Sequence, residues 1–392
     1  MDSRANELLD GPSPGRCGER GFSLVELMVG MVIGLATLLI MVQSTNLFES
    51  QRRTTTGSAD ADENGNIALS LMEADVRQGG YGLVTSNGLA CAGYTNGNVA
   101  NASILPVQIT SPGGTANDSV LVTYGNSPAG GVPAGLVLPA PAPPAVVLKA
   151  QAPFTAAFNV GDIVLLSLAN GATPCTMAQL SAVNKAPDSV LLSLAPYPAG
   201  TTLAYPAGVT YDISPQSYVI SMGSLANNQY QIMCNALVVS NPITRAAAPS
   251  CTSNPATFTN ASAIGDNIVV LRAQYGIAPA GSQSVNCWVN ATAAGNPCDA
   301  SNWAAPSLAN IARIKAVRLG IVSRSYQPDR SHTEPNCTNV SGGLNKGPCL
   351  WRDTAANPAP VIDLSGTPGW QQYRYKVYST VIPLRNVLWA NL

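Results

Sequence analysis

Hydrophobicity changes most sharply at Gly21. Residues 22–42, FSLVELMVGMVIGLATLLIMV, form an apolar run broken by one charge, Glu26. As an α-helix this run would span roughly 32 Å, the thickness of a bilayer's hydrocarbon core. A polar stretch, 43–79, follows and predicts a continuation of the helix, with a weak point at TTTGSAD (54–60), where three β-branched residues and a glycine lower helix propensity. From Asp60 the helical period resumes. Ile67, Ala68, Leu69, Leu71, Met72 and Val76 fall on one broad arc, and Asp62, Glu63, Asn66, Ser70, Glu73 and Arg77 on the other. The apolar arc predicts packing on a β-sheet. Asp75 interrupts it and requires a backbone partner, an arginine or a place at the rim.

Beyond residue 84 the pattern shortens. Runs at 104–110, 119–124, 162–168, 189–194 and 218–222 are apolar and β-branched and are separated by Gly, Pro and Asn clusters, which predicts strands of an antiparallel sheet or sandwich. Residues 127–148 are rich in proline, glycine and alanine and read as an ordered surface loop or a linker with a boundary nearby. GDIVLLSLANG and DSVLLSLAPYPAG resemble each other, but two short apolar strands followed by turns look alike by chance, so no repeat is read. The expected fold class is α+β: a long N-terminal helix, its first half membrane-spanning and its second amphipathic, packed on an antiparallel, β-sheet-rich globular region.

Arg16 and Arg20 before the apolar run look like the start of a secretory signal. The run, however, exceeds the 7–15 residues of a signal core, and the sequence after it, QSTNLFESQRR, lacks a small-x-small cleavage site. Cleavage at Gly21, ahead of the run, would remove only the leader. It would also give Glu26 a partner. A carboxylate within hydrocarbon costs about 2.5–3.5 kcal/mol on insertion scales, and the freed α-amino group of Phe22 is a cation at the same depth. Glu26 can pair with its own N-terminus, four residues away on one helix face, or with that of another subunit. Gly30 and Gly34 form a G-x-x-x-G spacing that allows close approach of membrane helices, although scattered small residues explain it nearly as well. Cys17 precedes the apolar run and does not resemble a lipid-anchor site.

Composition narrows the class. Only 10% of the 392 residues are charged, against about 25% in a typical protein. Without residues 1–21, seventeen charges of each sign remain, which excludes a basic nucleic-acid footprint. Loss of Cys17 leaves eight cysteines, an even number that favours disulfides in an exported chain. Cys234 with Cys251, Cys287 with Cys298 and Cys337 with Cys349 would each close a short loop, leaving Cys91 with Cys175. Their spacings do not suit zinc, which wants pairs two to four residues apart.

Catalytic chemistry finds little support. The one histidine, His332, lies in a polar loop, DRSHTEPNC, no glycine-rich phosphate loop follows a strand, and no C-x-x-C is present. DADENG (60–65) imitates the start of a calcium loop, but its twelfth position is Leu71 rather than the required Glu, so an acidic helix start explains it better. No metal, cofactor or enzymatic activity is expected. Trp351 and Trp370 mark either core packing or an interaction face.

RGFSLVELMVGMVIGL resembles the N-terminus of type IV prepilins and type II secretion pseudopilins, matching G-F-[ST]-L-[VI]-E throughout. The resemblance implies cutting after Gly21 by a prepilin peptidase, methylation of Phe22, and an assembly role for Glu26. ENGNIALSLMEADVRQGGYGL (63–83) is similar to the PilW group of minor pilins, and weaker similarity in 267–277, 312–325 and 373–386 suggests that group's later helix, core strand and closing strand. The implied organisation is a leader, 1–21, longer than most and leaving the initiator uncertain; a pilin helix, 22–80, transmembrane at 22–42 and amphipathic at 43–79; and a region 81–392 with an insertion at 85–260. The implied function is that of a minor pilin in type IV pilus assembly or initiation. A J-type minor pseudopilin of type II secretion and a pilus-tip adhesin are the alternatives. Expected partners are the prepilin peptidase, other minor pilins, the major pilin and the inner-membrane assembly platform. The expected location is the bacterial inner membrane, with the N-terminus cytoplasmic and the C-terminal region periplasmic or on a surface pilus.

Overall fold

The computed structural model describes residues 21, 23–85, 88–91, 93–96, 99, 102–151, 157–169, 171, 173–253, 256–329, 332–338, 344–352, 354, 357 and 359–389. The leader with Cys17, and Phe22, lie outside the described residues. Helix α1 runs unbroken over Leu24–Gln78. The expected interruption at TTTGSAD is absent. Threonine and glycine cost at most about 1 kcal/mol each in a helix, and buried Ala61, Gly65, Ala68, Met72 and Val76 follow within the same helix. The chain divides into two compact units, residues 1–54 and 55–392.

In the larger unit α1 is followed by β1 (Val84–Thr85), β2 (Gly88–Leu89), β3 (Tyr94–Thr95), β4 (Val107–Thr110) and β5 (Ser119–Tyr124). Next come β6 (Pro133–Gly135), β7 (Val146–Gln151), β8 (Ile163–Leu168), β9 (Cys175–Lys185), β10 (Ser189–Pro196) and β11 (Ser217–Gly223). β12 (Ala226–Met233), β13 (Ala236–Ser240), β14 (Ser250–Ser253), β15 (Ala256–Thr259) and β16 (Ser262–Asp266) follow. The last part holds β17 (Ile268–Ile277), β18 (Cys287–Val289), α2 (Leu308–Ile311), β19 (Ile314–Arg324), β20 (Cys337–Thr338), β21 (Leu344–Asn345), β22 (Tyr375–Pro383) and α3 (Arg385–Trp389). Segment 267–277, expected to hold a helix, is therefore strand β17. Seven of its eleven residues are Ile, Val, Leu, Ala or Tyr, and pairing along both edges, to β18 and β19, favours the extended form.

Two antiparallel sheets pack with α1. One has the order β16-β13-β12-β5-β4 and the other β18-β17-β19-β22. Ala68, Met72 and Val76 of the helix share one core with Ile109 and Val122 of the first sheet and Leu271, Tyr275 and Ile321 of the second. Ile67 and Leu71 do not join it. Each remains 46% exposed, because the apolar arc is wider than the surface that covers it.

The third sheet is a barrel. Its strands run β6-β11-β8-β9-β10-β7, and a bridge between Leu136 and Ala150, with the Val137 amide donating to the Lys149 carbonyl at 2.8 Å, joins the last strand to the first. Leu148, Val164, Leu166, Leu180, Leu192 and Val219 fill its interior. β5 and β12 pair directly, with Tyr124 opposite Ala226, so in chain order the barrel lies between the two strands of a hairpin. Within the 85–260 span, β4, β5, β12 and β13 belong instead to a helix-packing sheet. Segment 127–148 contributes β6 and the start of β7 to the barrel wall rather than a free linker.

Four disulfides form: Cys91 with Cys175, Cys234 with Cys251, Cys287 with Cys298, and Cys337 with Cys349. The first ties the segment after α1 to barrel strand β9. It lies in a separate core with Leu83, Leu165, Met177, Ile220 and Met222, where the barrel's outer wall packs on that segment.

Candidate functional site

In residues 1–54 the structure places Glu26 in the first turn of α1, where a carboxylate complements the helix dipole. The Leu27 amide donates to the Ser23 carbonyl at 3.1 Å, so the helix is formed up to that turn. Leu24–Glu49 is a 26-residue span whose most apolar 18-residue stretch has a mean hydropathy of 2.4 and holds no buried residue. Every large apolar side chain from Leu24 to Val42 is at least 51% exposed. The span's two threonine hydroxyls bond within the helix: Thr37 donates to the carbonyls of Ile33 (3.0 Å) and Gly34 (2.9 Å), and Thr45 to that of Met41 (2.5 Å). Such internal bonding is what a helix needs where water is absent. At Gly30 and Gly34 an added Cβ would meet nothing within 4 Å, so both present open surface. This segment can anchor in a bilayer and pack against another helix.

The larger unit holds the rest of α1 through polar contacts that sequence reasoning missed. Asp75 meets neither backbone nor arginine. Its carboxylate accepts from Tyr124 Oη at 2.8 Å, Tyr230 Oη at 2.5 Å and Asn228 Nδ2 at 2.6 Å, all on the five-stranded sheet. Burial, together with the bond to Asp75 and its charge, pushes both phenols well above their usual range. Ten residues earlier on α1, Gly65 faces Tyr378 of β22 so closely that a Cβ would lie 2.2 Å from the ring. The Tyr378 hydroxyl donates to Asp62 at 2.6 Å. The signals were present but one-sided: an aspartate within an apolar arc and a glycine within a helix. The sequence did not name the residues across from them.

The other candidate residues take structural places. His332 Nε2 lies 3.0 Å from Glu334 Oε2. Trp351 and Trp370 pack against a small core of Val270, Val322, Leu350, Ile362 and Leu364. Among the described residues no three His, Cys, Asp or Glu side chains are grouped to hold a metal. DADENG lies within α1.

Two family profiles match the chain. One, described as type IV Pilus-assembly protein W, covers residues 218–386, and the other, a prokaryotic N-terminal methylation motif, covers residues 16–42. The first begins within the last barrel strand and takes in β12 to β22, while the other barrel strands lie outside both matches. No curated protein and no solved structure matches.

Proposed function

We propose that this chain, a type IV pilus-related pilin of the PilW kind by its two family matches, acts as a minor pilin in pilus assembly or initiation. One observation carries the reading. A methylation motif that opens an uncovered apolar helix is joined, in the same chain, to a PilW-type region. In this reading prepilin peptidase cuts after Gly21, Phe22 becomes the methylated N-terminus, and the helix holds the protein in the inner membrane with residues after the span in the periplasm. Assembly then brings Glu26 to the N-terminus of a neighbouring pilin, with Gly30 and Gly34 admitting that neighbour's helix. Other minor pilins, the major pilin and the inner-membrane platform are the partners, and the chemistry is recognition rather than catalysis.

A clean gene deletion tests this when surface pili are counted by electron microscopy and secreted proteins are assayed in the same cultures. Lost pili with normal secretion is the expected result. Intact pili with blocked secretion would assign the chain to a type II secretion pseudopilus instead. Glu26→Ala is expected to leave cleavage intact and to lower incorporation; normal piliation in that variant would overturn the intermolecular role of Glu26. A second reading, tip adhesion, is favoured by the barrel, most of which lies outside the matched regions and which interrupts a hairpin. Excising 126–224 would then abolish surface attachment while pili persist.

A further inference from the structure

On the four-stranded sheet, the face turned away from α1 carries an arginine between two tryptophans. Val317, Leu319 and Ile321 of β19 enter the core shared with α1, so Arg318 points the other way. Its guanidinium carbon lies 4.1 Å from the ring centre of Trp288 and 5.1 Å from that of Trp351. Glycines make room for both rings. Trp288 sits across from Gly276, where a Cβ would come within 2.8 Å of it, and a Cβ at Gly320 would come within 3.0 Å of Trp351. Disulfides fix the loops that bring the rings: Trp288 follows Cys287, bonded to Cys298, and Trp351 lies two residues beyond Cys349, bonded to Cys337.

Among the described residues no carboxylate pairs with this cation. Arg272, Arg313 and Arg374 pair with Asp118, Asp299 and Asp329. Arg318 donates one long hydrogen bond, 3.4 Å, to the Asn357 side-chain oxygen. Burial pushes its pKa down. With two tryptophan rings this near its plane, the guanidinium meets a further group best along its edge, whose N–H fork fits a carboxylate.

We propose that Trp288, Arg318 and Trp351 form a carboxylate-binding site, and that its occupant is an acidic side chain of a protein partner. The partner being another component of a pilus assembly rests on the pilin reading above; the site itself does not. Two observations favour a protein over an acidic sugar. Each tryptophan already engages the guanidinium, and Trp351 also packs on the small core of Val322 and Leu350, which leaves little ring surface for a pyranose to stack on. Beside Arg318 runs β22, an edge strand in which Val381, directly across from Arg318, is 51% exposed and Ser379 is also exposed. An open edge with an apolar side chain next to a forked cation suits an extended segment that alternates apolar and acidic residues. Trp and Arg are also the residue types that dominate binding at protein interfaces.

The test uses the full-length protein in lipid nanodiscs, titrated with a capped heptapeptide of alternating valine and glutamate and followed by calorimetry and tryptophan fluorescence. The expected result is saturable binding, weakened about tenfold or more when glutamine replaces glutamate in the peptide, as for loss of a charge-assisted hydrogen-bond pair. Arg318→Gln should abolish binding, and Arg318→Lys should weaken it because an ammonium lacks the fork. Should Arg318→Gln fail to fold, Val381→Glu serves: its new carboxylate would fill the fork from within and block the peptide. Equal binding of the glutamine peptide, or undiminished binding by Val381→Glu, overturns the site. Polygalacturonate that displaces the peptide at equal carboxylate concentration overturns the protein occupant. Because binding is read on purified protein, its outcome is separate from pilus counts.

Discussion

The barrel and the helix-packing sheets are both antiparallel, but they complete their cores differently. Every barrel strand contributes to one interior, and the Leu136–Ala150 bridge closes the wall on itself. The two other sheets need Ala68, Met72 and Val76 of α1 to fill the space between them, and they leave β4, β16, β18 and β22 at their edges. A closed wall can sit inside a hairpin without altering the host. An open pair of sheets ties its stability to a helix that, in the function proposed above, also anchors and assembles. The contrast separates a region that completes its own core from one that borrows a helix to do so.

The largest expected effect breaks the open side. Arg272 of β17 pairs with Asp118 at 3.3 Å, both nearly buried, and donates to the carbonyls of Ala116, Gly114 and Val361. Arg272→Ala should cost about 3–5 kcal/mol by leaving that carboxylate unpaired. Urea unfolding reads the loss, and hydrogen exchange should show it in β5 and β17 while barrel amides stay protected. Comparable loss of protection in both regions would mean that the barrel is not independent.

Next is a pair of substitutions in the barrel wall. Leu165 of β8 is fully buried, whereas Leu191 of β10 is 41% exposed. Leu165→Ala should cost about 2–5 kcal/mol and Leu191→Ala well under half as much; equal costs would contradict the packing of β8 against the segment after α1. Gly65→Ala sharpens the helix side. The Tyr378 ring must yield, at about 1–3 kcal/mol, and thermal unfolding will show whether that clamp is as tight as it looks.

The smallest effect is in pH. Burial acts to raise the pKa of Asp299, but bonds from Ser301 and Arg313 outweigh it and hold the group well below the ordinary carboxylate value. The unfolded chain therefore takes up this proton first. Its contribution is present above about pH 4 and is lost as pH falls towards the folded-state value. The stability gap between the native protein and Asp299→Asn should hold from pH 7 to 5 and narrow below 4. Asp118 runs the other way: burial dominates and raises its pKa, so its contribution is fullest below the unfolded value and declines as pH rises through the folded one.

Much of this was legible beforehand. The apolar run after Gly21, the helix beyond it and strands such as Ser119–Tyr124 follow from local pattern. Adjacency along the chain also picks out the cysteine pairs that the structure joins. The partners of Asp75 were not legible, because Tyr124 and Tyr230 come together only when β5 pairs with β12 across about a hundred intervening residues. Nor was the Arg318 stack, whose two tryptophans arrive from strand β18 and from the segment after Cys349. The continuous helix was misjudged at TTTGSAD because propensity sums local costs and omits the packing beyond them.

The residues VLLSL occur twice, at 164–168 in β8 and at 190–194 in β10. Sequence alone determined that both are strands, since β-branched and leucine residues between turn signals favour the extended chain in either place. Only the tertiary structure decided their faces. β8 is covered on one side by the barrel interior and on the other by the segment that Cys91 ties to Cys175, so Val164 to Ser167 are all buried. β10 has the interior on one side and solvent on the other, and its burial alternates. A strand's own residues set its conformation, but what lies against its second face is supplied by chain far away in the sequence, and five residues hold no record of it.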